Sequence, residues 1–464
     1  MSTQADTRKR IPSTRALNLA GVILVITATG CASYPERTQG ALISFESGSF
    51  EEARSRYADH DTTRSAFLSG AEAGMAAFCN GDWDGTIEHL GQAASVTEQI
   101  EREALLSPQN LSESLVSFAI SETASEYVGE GYERVMLHAH LAMAYLAKGD
   151  FEAARVEVKQ ANALLETEEE LYDKDYQAGG LGHLLSAIIY ELEGSPDDAY
   201  IDYKRMQAKG LGGGLVGRSL VRLATRLGRD DELPGWEERF GVDTARPEGA
   251  AEIVLIAGLG MGPAKQPITI PIPTGDGLLQ WSVPSFIERG SPVSGLELSV
   301  AGSGVAVETA VIEDVARVSK ENLDDRIAWL ATRSAVRAVL KRELTKSLEK
   351  EWGAWGQLAG DLFTAITERA DLRAWHTLPD SYQAARLWLA PGQHRIEVRA
   401  QGGSSLDLGE YELIPGETMF IIARTLGGRI FTHTVGGSLI PADLPEDVLE
   451  PEAPLETEAS ASEL

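Results

Sequence analysis

Basic charge, thiols and long apolar runs are all scarce in this sequence, and each scarcity removes a class of protein. Against 70 Asp and Glu stand only 41 Lys and Arg, a net charge of −29. A phosphate backbone is recognised by clustered Lys and Arg, so no nucleic-acid partner is expected. The most apolar stretch, from Ala16 to Ile26, is shorter than the roughly 20 residues a membrane-spanning helix requires. The eight histidines are scattered, and His138 and His140, two apart on a predicted helix, point to different faces, which is poor geometry for chelation. There is no H-E-x-x-H, no G-x-S-x-G, and no Cys, His and Asp cluster at metal-ligand spacing. His376, beside Trp375 and Asp371, is the least implausible catalytic candidate, and a structural hydrogen bond at a domain seam is the plainer role for it. No catalytic residue, cofactor or metal ion is therefore expected, and the chain reads as non-catalytic.

Only two cysteines are present, and one of them ends the apolar stretch. Arg8, Lys9, Arg10 and Arg15 precede the run from Ala16 to Ile26, and Ala28, Thr29 and Gly30 lead directly into Cys31. A charged start, a short apolar middle and small residues at the end make a secretory signal over residues 1–30. The last four positions resemble the lipobox of bacterial lipoproteins, although Ala28 stands where leucine is commoner. That resemblance implies a lipid on the Cys31 thiol, with cleavage just before it. Ala32 and Ser33 follow, with no Asp beside the cysteine, which by the same resemblance implies the outer membrane, on its periplasmic face. Acyl chains contribute about 0.8 kcal/mol per buried methylene, so two or more make a stable tether. Residues 1–30 hold four basic residues and one acidic, so the remainder would carry −32. With Cys31 acylated, Cys79 is the only thiol left and no internal disulfide can form. Cys79 lies in "MAAFCNGDW" on an apolar helical face, the setting of a small buried hydrophobe.

Past a short linker at 31–40, residues 41–245 repeat themselves. Turn glycines Gly48, Gly81, Gly149, Gly194 and Gly228 are separated by 33, 68, 45 and 34 residues, with helical patterning on both sides of each. An aromatic follows two residues after three of these turns (Phe50, Trp83, Phe151), and alanine follows five after three (Ala53, Ala154, Ala199). Tyr57, Leu90, Val158 and Tyr203 close the second helices, and Gly74, Ala142 and Ala187 mark where the first helices approach them. A period near 34 with paired helices is the signature of tetratricopeptide repeats. Stacked repeats expose a concave face, and the spacing puts Leu68, Met75, Phe78, Met136, Met143 and Leu146 on it. Flexible thioethers suit an adaptable groove for a protein partner. The same face could instead be filled by another part of this chain.

After "GVDTARPEGA" the period becomes extended. "AEIVLIAGLG", "PITIPIP", "LQWSVPSFI", "LELSVAG" and "VAVETAVI" read as strands, helices follow at about 319–372, and strands return up to 436. The expected fold is therefore α+β: a tetratricopeptide-like α-helical solenoid followed, over residues 250–436, by an antiparallel β-sandwich-like domain with a helical insertion. Gly258, Gly260 and Gly262 invite a dinucleotide-binding reading, but Pro263 and the strand after it deny the helix that such a site needs. The insertion carries Arg333, Arg337, Lys341, Arg342, Lys346 and Lys350, suited either to an anionic membrane or to the acidic repeats of the same chain. The acidic tail, 441–464, has too little apolar surface to offset ordering.

Lipobox, repeats and the "LAPGQHRIEV" hairpin together resemble a family of proteobacterial outer-membrane lipoproteins with tetratricopeptide-like N-terminal halves. The resemblance brings no activity with it. It implies a lipid-anchored scaffold that binds periplasmic or envelope proteins in cell-envelope assembly. The alternatives are an envelope hydrolase with an unrecognised site in the β-rich domain, or a structural subunit of a homo-oligomeric envelope assembly. The oligomeric state is not readable.

Overall fold

Five glycines decide where the helices turn. In the computed structural model, which describes residues 32–106, 126–172, 178–242, 249–274, 277–326 and 370–440, Gly48, Gly81, Gly149, Gly194 and Gly228 all have φ between 63° and 78°. That left-handed conformation strains any residue with a Cβ, and it lets the next amide reach back five residues to close the helix end. Ser49 donates to Ser44 at 2.9 Å, Asp82 to Ala77 at 3.0 Å, Asp150 to Tyr145 at 2.9 Å, Ser195 to Tyr190 at 2.7 Å and Arg229 to Ala224 at 2.9 Å. The turns join α1 (Tyr34–Glu46) to α2 (Phe50–Ala58), α4 (Ala66–Cys79) to α5 (Trp83–Leu106), and α6 (Gly131–Ala147) to α7 (Phe151–Tyr172). They also join α8 (Gly180–Leu192) to α9 (Pro196–Ala208) and α10 (Gly213–Leu227) to α11 (Leu233–Phe240), with the one-turn α3 (His60–Thr63) between the first two pairs. The expected packing positions Ala53, Tyr57, Leu90, Ala142, Ala154, Val158, Ala187, Ala199 and Tyr203 are fully buried.

Residues 34–40 are not a linker. Ser33 and Glu36 form a helix-start signal, the Ser33 amide donating to the Glu36 carboxylate at 2.7 Å, with Pro35 in the first turn. Helix α1 therefore begins three residues after Cys31, and Tyr34 is buried. Cys31 itself, the signal expected at 1–30, the tail at 441–464 and the basic stretch of the insertion lie outside the described residues. The insertion starts earlier than the pattern suggested, with helix over 315–326, and its described far end, 370–380, is irregular.

Among the described residues, twelve strands follow these helices. Those of the first sheet are β1 (Ala251–Leu259), β6 (Ala310–Asp314), β7 (Ser381–Leu389), β10 (Thr418–Leu426) and β11 (Arg429–Val435), in the order β11-β10-β1-β7-β6. The second sheet holds β4 (Leu296–Val300), β5 (Val305–Glu308), β8 (Gly392–Ala400), β9 (Ser405–Leu413) and β12 (Ser438–Ile440), in the order β12-β9-β8-β4-β5, so the β-rich region runs past 436. Among the described residues, strands β2 (Ala264–Thr274) and β3 (Gly277–Ile287) pair only with each other. The expectation of purely antiparallel pairing fails at one place, because β1 and β10 run parallel. Parallel neighbours need a long crossover, and here the chain passes through the second sheet before returning. Gly260, at φ 61°, leads from β1 into β2 and not into a helix.

Two cores result. Ile253, Leu255, Ala257 and Leu259 of β1 join Leu298, Ile396, Val398, Leu413 and Ile421 between the two sheets. The alternate β1 residues, Val254 and Ile256, join Tyr382, Ala384, Phe420 and Ile422 in the same cluster as the helices. Strand β1 is thus covered on both faces, which is why it reads as a continuous apolar run.

Candidate functional site at the seam between helices and sheet

Where the helices meet the first sheet, single carboxylates stand in apolar surroundings. Glu72 is the only charged residue of α4 and is fully buried. It accepts from the His376 amide at 2.6 Å, the Thr377 amide at 3.1 Å, the Thr377 hydroxyl at 2.6 Å and the Tyr34 hydroxyl at 2.9 Å. Glu133, in the first turn of α6, accepts from the Trp375 amide at 2.7 Å, the Tyr127 hydroxyl at 2.7 Å and the Glu130 amide at 3.0 Å. Glu313 of β6 reaches the start of α8, taking the Gly179 and Leu181 amides at 3.2 Å each. Strand β6 comes so close that a Cβ on Gly180 would lie 1.8 Å from the Ile312 carbonyl oxygen. The Gly212 amide, at the start of α10, donates to the Val311 carbonyl at 3.1 Å. Free amides at helix starts require acceptors, and the second half of the chain supplies them.

Burial pushes the Glu72 and Glu313 carboxyls up to about 7, with the hydrogen bonds to each pulling the other way. Arg386 of β7 joins the layers by charge: it pairs with Glu191 of α8 at 2.8 Å, with Glu252 of β1, and donates to the Tyr203 hydroxyl of α9 at 2.5 Å. Burial alone would raise Glu191, but Arg386 and Arg222 outweigh it and hold that carboxyl well below the usual range. Lys265 of β2 pairs with Glu130; burial opposes its charge, and Glu130, Glu133 and Asp371 overcome this and raise its pKa.

The candidates read from the sequence fall as follows. His376 is at the seam, but its backbone amide makes the hydrogen bond while neither ring nitrogen has a partner. Burial, with Arg289 and Lys265 nearby, pushes the imidazole down to about 3, so it is neutral. Asp371 is not its partner: that carboxylate is held by Arg373 at 2.7 Å. His138 and His140 diverge, the first meeting Glu157 at 2.6 Å and the second meeting Tyr382. His140 Nδ1 lies 2.6 Å from the Met136 carbonyl and so carries the proton, leaving Nε2 to accept from the Tyr382 hydroxyl. Among the described residues no group of His, Cys, Asp and Glu could hold a metal ion.

The groove expectation is corrected. Leu68, Met75, Phe78, Met136, Met143 and Leu146 are each 4 % exposed or less and share one core with Trp375, Tyr382, Phe420 and Ile422. Phe78 packs edge-on against His140 at 5.1 Å, and His140 meets the Tyr382 ring at 5.5 Å. This helical face is covered by the chain's own second half, because a sheet with two apolar faces needs a cover on each. The carboxylates at the seam act as acceptors that lock this cover in place.

No family model and no curated protein matches the sequence. Among solved structures, a crystal structure of the MamA protein is similar to 45% of this chain and 89% of its own, at 14% identity and a TM-score of 0.30. TTC0263, a TPR protein of Thermus thermophilus, covers 45% of this chain and 90% of its own at 14% identity and a TM-score of 0.25. PilW, a type IV pilus biogenesis factor, covers 44% and 90% at 15% and 0.24. Similarity of that degree says nothing of activity or partners.

Proposed function

We propose that this chain is a non-catalytic scaffold of the bacterial envelope, tethered at the outer membrane by lipid on Cys31, that binds protein partners on its outer surfaces. The observation that supports the scaffold reading is the covered helical face: tetratricopeptide-like hairpins that elsewhere would grip a peptide here grip their own sheet, and the seam carboxylates are engaged by backbone amides and hydroxyls. Helices packed on the first sheet, and that sheet on the second, leave the outer faces of the body for partners. The tether reading draws on the lipobox and on α1 starting three residues after Cys31, which leaves almost no slack between bilayer and body. Crosslinking in intact cells followed by pulldown tests the function, and recovery of the protein alone would count against it. Replacing Cys31 by Ala tests the anchor: lipid labelling should disappear, and labelling that persists would refute it.

A further inference from the structure

Two arginines stand apart from the other cations of the seam. Arg386 and Lys265 each face a carboxylate, Glu191 and Glu130 respectively. Arg289 and Arg424 meet none among the described residues, and every acceptor they find is neutral. Arg289 donates to the carbonyls of Gly262 and His376. Arg424 donates to the carbonyls of Gly258 at 3.1 Å, Gly260, Thr425 at 3.3 Å and Thr377 at 3.3 Å, with the Met261 sulfur at 3.3 Å. The two guanidinium groups are thus neighbours, bracketed by the glycine-rich turn from β1 to β2 on one side and by residues 376–377 on the other. Gly258, Gly260 and Gly262, which lack the helix a dinucleotide requires, present carbonyls to cations instead. Gly260 is held there by its φ of 61° and by the Gly290 carbonyl oxygen, 2.8 Å from where a Cβ would lie.

Carbonyl dipoles solvate a cation but leave its charge in place. Burial opposes both charges and holds each guanidinium below its ordinary pKa. Glu72, the carboxylate Arg289 senses most, is already engaged by four donors. Beside the two arginines, five buried side-chain atoms have no hydrogen-bond partner: Arg289 Nη1, Arg424 Nε, the Tyr57 hydroxyl and both ring nitrogens of His376. Tyr57 is fully buried and His376 is 2 % exposed, and both have Arg289 among their electrostatic neighbours. With the imidazole neutral, these atoms offer four donors and one pure acceptor. A water among them would bring two protons of its own and cancel no charge. An anion needs donors only, and it removes the cost of a buried unpaired cation.

We propose that Arg289, Arg424, Tyr57 and His376 hold a small monovalent anion of chloride's size, enclosed between α2, the β1–β2 turn and residues 376–377, as a counter-ion of the seam. The five atoms are closed to solvent, which favours a monatomic ion over a carboxylate offered by a peptide. The site depends on neither the lipid tether nor a protein partner. Crystals of the full chain grown in sodium bromide should show an anomalous peak within hydrogen-bond reach of Arg289 Nη1, and the absence of a peak there overturns the proposal. In solution, chloride is exchanged for gluconate at constant ionic strength and unfolding is followed by calorimetry. Each tenfold rise in chloride should raise the melting temperature by about 2 °C once the site is filled, because an ion bound only by the folded state stabilises it by mass action. Tyr57→Phe and Arg289→Gln should each flatten this response, and Arg395→Gln, whose side chain pairs with Asp407 at the surface, should keep it. Tyr57→Phe removes one oxygen and keeps the packing of the ring, so it decides the matter if Arg289→Gln does not fold. A flat response in the unsubstituted protein, or an equal slope in Tyr57→Phe, overturns the proposal and points to bound water.

Discussion

Arg386 lies in the middle of β7, in a strand otherwise made for a core, and it is 4 % exposed. Its worth depends on what would be stranded without it. Arg386→Leu would leave Glu191 and Glu252 facing each other's charge with less compensation, so a loss of about 3–5 kcal/mol is expected in urea unfolding. Glu191→Gln in the same background should recover part of that loss. The seam carboxylates make a prediction in pH. Glu72 and Glu313 have folded pKa values near 7, above the ordinary 4.5, so the native state holds protons that the unfolded state releases. Their contribution is complete below about 4.5 and disappears as pH rises through 7. His140 and His376, lowered to about 4 and about 3, act in the other direction: their contribution is present above 6.5 and is lost as pH falls through those values. Glu313→Gln should therefore flatten the decline in melting temperature from acid to mildly alkaline buffer, removing at most about 3 kcal/mol of pH dependence. An unchanged slope by calorimetry would exclude Glu313 as its source. Two of these residues carry a sequence signal of one kind: Glu72 and Arg386 are each the lone charge of an apolar element. That signal says a partner exists, and nothing local says which.

Helices α4 and α5 touch where Gly70 and Gly74 permit it. A Cβ on Gly70 would lie 2.5 Å from the His89 carbonyl oxygen, a backbone atom that cannot rotate aside. Gly70→Ala is expected to destabilise by about 1–3 kcal/mol. Gly91→Ala is the control, since its Cβ would meet nothing within 4 Å in a helix interior, and a gain of up to about 1 kcal/mol is expected there. Thermal melts of the two variants should move in opposite directions. The hairpin turns were readable because a left-handed C-terminal residue is a local demand that glycine answers. The start of α1 was equally present in Ser33, Pro35 and Glu36, but the polar composition around it resembled a linker. The parallel pairing of β1 with β10 was not readable, since strand order depends on the path of the whole chain.

The molecule should unfold as one unit. Helices and first sheet share a single core, so calorimetry is expected to show one transition, with no separate helical step. Residues 32–242 produced alone would expose Leu68, Met75, Phe78, Met136, Met143 and Leu146 and should bind a hydrophobic dye or aggregate; coexpression with 249–464 should restore solubility. A soluble helical half that binds no such dye would contradict the shared core. Cys79 gives an independent readout, being buried with its thiol pushed up to about 11, so it should resist alkylation until the global transition.

By itself the sequence determined the helical hairpins, their turns, the change to strands near residue 250 and the lipobox-like cysteine. All of these are written in spacing, turn chemistry and periodicity over a few tens of residues. Only the tertiary structure decided that the apolar face of the repeats is covered by the first sheet and that lone buried charges meet across 100 residues or more. A periodic pattern states that a face must be covered. Which distant surface covers it is settled by shape and by paired charge, and these arise only once both surfaces have formed.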